Sequence, residues 1–442
     1  MAEPSAVCET PVLESPSEGG GPLDWLEGKR AEAGDDLLLC AVSYDAGRSL
    51  ERVPGVAPAD RDWPAVWVGR CSSWAVHDRW TGRWTLHGDV AGRAVLAERL
   101  GVAARGLVEG AGVFSVGEAC ASPDDAGHAR AVAEAVGRIA RGEMFQVNLA
   151  RRITRRFEGD PRALFVALAR GASPWFGAWL ELDAPGARRR RGLASVSPEL
   201  FLDATELPGV VSRPMKGTRA RVGGGGGWAH AAALRDSVKD RAELAMIVDL
   251  VRNDLGRVAR HGTVRVEEAR RIEAHPTVWQ GVATVSAELR GGLGGVDALR
   301  ASLPPGSVIG APKVQAMRVI DELEPARRGP YCGVVGWMRG GRSSWSVAIR
   351  TAAVEVDRRG VGRVDQWVGG GVVADSTPEQ ELEETRVKAA AIDAALREGG
   401  CGGAAEVGAG GRAGARRDSG GLGDGVLDAG APAGKAVRLG GA

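Results

Sequence analysis

Three features of the sequence predict a fold of mixed helices and strands. Residues 36 to 119 break into short apolar runs separated by Gly/Pro turns, the pattern of strands. From about residue 120, helix-period and strand-period segments alternate. The two ends lack any such pattern. Residues 1–22 show no periodicity, and from 399 to 442 the chain falls to Gly, Ala, Arg and Asp with few large apolar residues to bury. The expected organisation is a disordered tail at 1–22, an N-terminal subdomain at 23–119, a main domain at 120–398 and a Gly/Ala-rich disordered tail at 399–442. Alternation by itself suits a parallel α/β arrangement.

In order along the chain, strands are expected at Leu37–Val42, Val66–Val76 and Arg83–Leu86. Trp63, Trp67, Trp74, Trp80 and Trp84 crowd this region; with no basic residues between them they are read as packing, not as a base-stacking platform. Asp124 or Asp125 is placed to cap a helix whose apolar face is Val132, Val136 and Ile139 and whose stop is Gly142. A strand follows, with Phe145, Val147 and Leu149 on one face and the amides Gln146 and Asn148 on the other. The Arg188–Arg191 and Gly223–Gly227 runs are expected to be solvated loops.

The 442 residues carry 57 basic and 56 acidic side chains, a formal net charge of +1, which argues against a nucleic-acid or membrane-surface binder. Cys8, Cys40, Cys71, Cys120, Cys332 and Cys401 lack metal-ligand spacing and are read as reduced thiols. The N-terminal segment has no apolar core of a signal peptide, and the most apolar run, Leu244–Val251, is interrupted by Asp249. A soluble, cytoplasmic protein is expected.

Four constellations carry chemistry. Asp240 and Glu243 stand three apart on one helix, and Glu381, Glu384 and Lys388 fall along one face of another. Alone, each is more often a solvated helix surface; facing each other, they could hold a hard divalent cation. Lys216, in SRPMKGTRAR, is a surface charge by default, or a nucleophile if held in a dry site. In PPGSVIGAPKVQAM, Gly306, Ser307 and Gly310 form a loop before a helix that Pro312 would open, a setting for carboxylate binding. In SWSVAIRTA, Arg350 is expected to leave a strand on its non-core side, where a guanidinium can grip a carboxylate.

These segments, taken in order as GEMFQVNLARR, SPELF, RPMKGTRAR, AMIVDLVRNDLGRV, GSVIGAPKVQAM, DELEPARRGPYCGVVGW, AIRTA and GGGVVADS–EQELEET, resemble the chorismate-utilising enzymes. That family comprises anthranilate synthase component I, aminodeoxychorismate synthase component I and the isochorismate and salicylate synthases. The resemblance is close over roughly residues 120 to 398. It implies an α+β fold, a four-layer α/β/β/α sandwich with the site between helical faces and sheet edge.

Within that resemblance, three positions point to the aminodeoxychorismate branch. Lys216 stands where anthranilate synthases generally have alanine. Gln146 stands where water-adding enzymes carry a basic lysine. Gln280 replaces a histidine associated with pyruvate elimination. The resemblance further implies magnesium held by Glu243 and Glu384 with help from Asp240 and Glu381. Arg350 and Tyr331 would bind the enolpyruvyl carboxylate with backbone support from Gly217, Gly369 and Gly371. Thr218, Lys388, Gln146 and Ser307 complete the substrate-binding set. Glu199 would be the general acid and Lys216 the nucleophile that ammonia displaces. No glutaminase nucleophile elbow is present in this chain, so a glutamine amidotransferase partner is implied. Ile309, Gln315 and Ala220 depart from the family's usual residues. The alternatives are anthranilate synthase component I, which the segment VLESP at residues 12 to 16 faintly favours, and a non-catalytic chorismate-binding subunit.

Overall fold

The computed structural model describes residues 21–400 apart from 79–80, 82, 105–111, 184–186, 222–225 and 277, together with two strands at Ser5–Cys8 and Val12–Glu14. Trp80, most of the glycine run and the C-terminal tail from residue 401 lie outside the described residues.

Two large sheets face each other. One runs from Met215–Ala220 through Val278–Glu288, Gly209–Arg213, Leu200–Asp203, Arg342–Val347, Val334–Arg339, Leu37–Val42 and Val66–Cys71 to Val12–Glu14, with Arg265–Ala274 also paired to Val278–Glu288. The other runs from Phe176–Glu181 through Arg189–Ser197, Thr351–Asp357, Val361–Val372 and Gln146–Gly159 to Gly310–Ala311, with Phe114–Val116 and Cys120–Ser122 along Gln146–Gly159. Every described strand pairing is antiparallel, so the parallel arrangement that alternation suited does not occur.

Period-2 alternation explains how two cores share one sheet. Leu193 and Ala353 turn inward to the main core, where Val210, Val285, Val334 and Trp345 of the opposite sheet meet them. Their neighbours Ala194, Ala352 and Val354 turn outward to Leu164, Leu168, Ile392 and Leu396, on the helices Pro161–Ala172 and Pro378–Gly400. The helix Val238–Gly256 covers the other sheet through Leu244, Ile247 and Val251. The layers are therefore helix, sheet, sheet, helix.

Local expectations hold in part. Asp124 accepts from the Gly127 amide and caps the helix Asp125–Ala140. Trp67 is buried, and its indole N–H donates to Leu182 O at 3.1 Å. Phe145, expected on one strand face with Val147 and Leu149, precedes the strand, which begins at Gln146, and is exposed where they are buried. The expected Val66–Val76 strand breaks at residue 72, and its two halves enter different sheets. Three of the four arginines at 188–191 lie in a strand, paired with Glu355, Glu181 and Asp183.

Two segments of the expected N-terminal tail form strands paired with Ser73–Asp78 and Val66–Cys71. The strands at 37–42 and 66–71 belong to the same sheet as 334–347. Cys71 is disulfide-bonded, which corrects the expectation of thiols throughout: partner proximity is a tertiary property that spacing does not carry. No helix among the described residues is long and apolar enough to cross a membrane.

Candidate active site

Glu199 and Arg350 occupy two adjoining passages of the chain between the sheets. Glu199 lies between Arg189–Ser197 and Leu200–Asp203; Arg350 lies between Arg342–Val347 and Thr351–Asp357. The passages are tied together, with the Val347 amide donating to Glu199 O and the Val196 amide to Arg350 O, both at 3.1 Å. SWSVAIRTA is thus not one strand. It breaks at residues 348–350, and Arg350 takes a left-handed backbone, φ 49°. For a non-glycine residue that conformation costs on the order of 1 kcal/mol, a strain that local structure must hold in place.

The Arg350 guanidinium is mostly enclosed, and burial holds it below its ordinary pKa. Its side chain makes no hydrogen bond or ion pair among the described residues, so it is left available to an anion. The Glu199 carboxyl is buried, and desolvation pushes it up to about 7 despite a hydrogen bond from Ser307, the charge of Lys216 and the Met215 amide. A carboxyl with that pKa keeps a proton available near neutrality.

Lys216 enters from the edge strand Met215–Ala220. Burial lowers its pKa, and Lys388 lowers it further, against the opposing pull of Glu243, Glu199 and Glu384. Gln146, Gly371 and Lys216 meet at one point: a β-carbon on Gly371 would stand 2.2 Å from Gln146 Nε2 and 3.5 Å from Lys216 Nζ, so only glycine leaves this space open. Lys388 donates to Gly369 O at 2.8 Å and pairs with Glu384 at 2.6 Å.

Glu243 and Glu381 both feel the charge of Glu384, and Glu243 that of Asp240 as well. Burial raises the first two, with like-charge repulsion adding to it, whereas the lysines Lys388, Lys216 and Lys239 bring Glu384 below its usual value against burial. Glu381 is buried, with Oε1 accepting from Ser376 at 2.6 Å and Oε2 without a partner. No three His, Cys, Asp or Glu side chains among the described residues are near enough to hold an ion together. Magnesium needs only one or two carboxylates beside water and substrate oxygens, so a pair such as Glu243 and Glu384, where the charge of the second acts on the first, fits it. Asp240 pairs with Arg219 at 2.8 Å and Glu384 with Lys388 at 2.6 Å; the charge of Glu384 acts on Lys216, Glu243 and Glu381, which sets it among the groups of the site.

Other expected residues make contacts within the protein. Gly217, at φ 79°, lets the strand press against Asp240 and Leu234, where a β-carbon would come within 2.7–3.0 Å. Thr218 donates to Gln280 Oε1 at 2.9 Å. Tyr331 is buried, its ring parallel to Trp367 at 6.0 Å, and burial pushes its hydroxyl well above the usual pKa. Ile309 is fully buried and packs in the main core.

Two ion pairs that support the site were not singled out from the sequence. Lys313 Nζ lies 2.6 Å from Asp254 Oδ2 and 2.7 Å from Ser302 O, fastening the 303–312 loop to the Val238–Gly256 helix. Arg328, paired with Glu324, donates to Val308 O and Asn148 O. Glu324 and Arg328 lie beyond the end of the helix Lys313–Leu323, so helical spacing does not signal their pairing.

A paired-sheet sandwich with an enclosed acid, lysine and arginine defines an enzyme site for a small anion. A family model, that of the chorismate binding enzymes, matches residues 17–394, and the chain belongs to that family. It is 37% identical over 356 residues to aminodeoxychorismate synthase component 1 of Escherichia coli (strain K12), covering 78% of this chain and 74% of that protein. It is 40% identical over 264 residues to anthranilate synthase component 1 of Aquifex aeolicus (strain VF5), covering 58% of this chain and 50% of the relative. The crystal structure of anthranilate synthase component I from Streptococcus pneumoniae TIGR4 superposes with a TM-score of 0.76 at 23% identity, over 88% of this chain and 92% of that one.

Proposed function

We propose that this chain is the synthase subunit of a cytoplasmic enzyme that aminates chorismate to 4-amino-4-deoxychorismate, with ammonia delivered by a separate glutamine amidotransferase. The observation that carries this reading is the placing of Lys216 Nζ beside Gln146 and Gly371, desolvated and within the field of the raised Glu199 carboxyl. An amide, not a base, faces the lysine at Gln146, so water has no group there to activate it, whereas ammonia needs none. The identity to aminodeoxychorismate synthase component 1 over most of the chain supports the same reading.

Arg350 receives a substrate carboxylate, which its unpaired guanidinium suits. Glu199 gives its proton to the departing 4-hydroxyl, which leaves as water. Neutral Lys216 Nζ bonds to the ring carbon and loses a proton; ammonia then bonds to that carbon, the bond to Nζ breaks, and a proton returns to the lysine. The net change consumes chorismate and ammonia and yields the aminated product and water. Magnesium would be held by Glu243 and Glu384, and when bound it would supply positive charge for the ring carboxylate.

Gln280 supports retention of the enolpyruvyl group, since its amide is tied to Thr218 and offers no titratable proton. The test is mass-spectrometric product identification with chorismate, magnesium and ammonium at alkaline pH, with and without aminodeoxychorismate lyase. 4-Aminobenzoate formed only with the lyase supports the reading. Anthranilate formed without it assigns the chain to the tryptophan-pathway branch.

A further inference from the structure

We propose that Asn148, together with Gln146, forms the pocket that binds ammonia, an inference that rests on the aminating reading above. Both side chains are buried, and both amide oxygens, Asn148 Oδ1 and Gln146 Oε1, are without a hydrogen-bond partner among the described residues. Buried acceptors left unpaired are costly, so such a pair marks a place where a donor belongs.

The backbone holds them there. Residues two apart on a strand share a face, which aligns Asn148 with Gln146. The Asn148 amide donates to Ile309 O, and its carbonyl accepts from Arg328 at 2.7 Å, so the residue is anchored from both sides. Directly across the ladder from Asn148 stands Gly371. Its missing side chain leaves a space bordered by Gln146 Nε2 and Lys216 Nζ, and a half-turn of the Gln146 amide, which exchanges its nitrogen and oxygen, brings the unpaired Oε1 to that space.

The ligand suited to this place is small and rich in donors. Chorismate brings two carboxylates and an ether, mainly acceptors; ammonia brings three N–H groups. Two amide oxygens can hold two of these, and neither can take a proton at neutral pH. The nitrogen lone pair then stays free to attack the ring carbon. A carboxylate in place of either amide would instead favour ammonium, whose lone pair is occupied.

The experiment is steady-state kinetics on the full chain with ammonium chloride varied at saturating chorismate, and the converse, at one alkaline pH. Asn148→Val removes the acceptor at nearly constant size and is expected to raise the ammonium KM about five- to tenfold while the chorismate KM stays within about twofold. Asn148→Ser, which keeps an acceptor, should fall between the two. Thermal melting checks folding; if Asn148→Val does not fold, Asn148→Ala against Asn148→Ser reads the same difference. An unchanged ammonium KM, or the two KM values rising together, overturns the pocket while leaving the aminating reading intact. A wild-type protein that forms no aminated product overturns both.

Discussion

Glu199 and Arg350 sit at neighbouring points where the chain leaves one sheet for the other, and each passage is hydrogen-bonded to the other through Val347 and Val196. The acid and the anion-binding group are thereby held in fixed relation by backbone, with no dependence on a side-chain contact between them. Sheet ends supply this because their polar groups are freed from the ladder and can be aimed into the gap.

For Glu199 the consequence is a trade between stability and chemistry. Its folded pKa of about 7 lies above the ordinary value of 4.5, so the folded state binds the proton more tightly than the unfolded state. Stability is therefore full at low pH and falls as pH rises from about 4.5 to 7, by roughly 3 kcal/mol at the plateau. Glu199→Gln should remove that fall: in urea unfolding the variant gains stability over the wild type at pH 8 and little at pH 5. Its kcat should drop about 10²- to 10⁴-fold.

Arg350→Gly relieves the left-handed strain while deleting the guanidinium. Denaturant unfolding should show a stability change between zero and a gain of about 1 kcal/mol. The chorismate KM should rise more than about tenfold, in line with loss of a charge-assisted contact. Arg350→Lys retains charge and loses the fork, so its KM is expected to lie between the two.

Magnesium dependence separates the carboxylates. Glu243→Gln and Glu384→Gln should raise the magnesium concentration for half-maximal rate by about tenfold or more, since each removes a charged oxygen from a set of few. Asp240→Asn should shift it less, because Asp240 is turned to Arg219 beside Gly217, whereas the charge of Glu384 reaches Glu243, Glu381 and Lys216. Equal shifts for all three would place Asp240 at the ion after all.

Lys313→Met leaves Asp254 buried without its partner. Burial already holds this carboxyl up at about 6, above its usual 3.8. The loss is expected to reach about 3–5 kcal/mol when the carboxylate is charged. Protonation relieves it, so the gap between variant and wild type should widen as pH rises above about 6 and narrow below. Unfolding measured at pH 5 and pH 8 checks this.

Much of the site was legible because its parts are local. Asp240 and Glu243 stand three apart in a helical stretch of the sequence, and the structure carries both on Val238–Gly256, with Ser237 capping the Asp240 amide. The amides of Gln146 and Asn148 followed from period 2 alone. The break at Arg350 was not legible, since SWSVAIRTA alternates like an uninterrupted strand and only the need to cross between sheets bends it. Nor was the pairing of Asp240, whose partner Arg219 lies 21 residues away across a strand-to-helix approach that Gly217 permits.

The sequence by itself determined which side chains could do chemistry, their order, and the helices and strands that carry them, because capping, periodicity and turn chemistry act over a few residues. Tertiary structure decided the antiparallel pairing, the joining of residues 37–71 to 334–347 in one sheet, and the disulfide at Cys71. It also decided which charges are free. Desolvation and Coulomb energies depend on whatever distant segments deliver to within a few ångströms, and that is what separates the unpaired Arg350 from the paired Asp240 and lowers the pKa of Lys216.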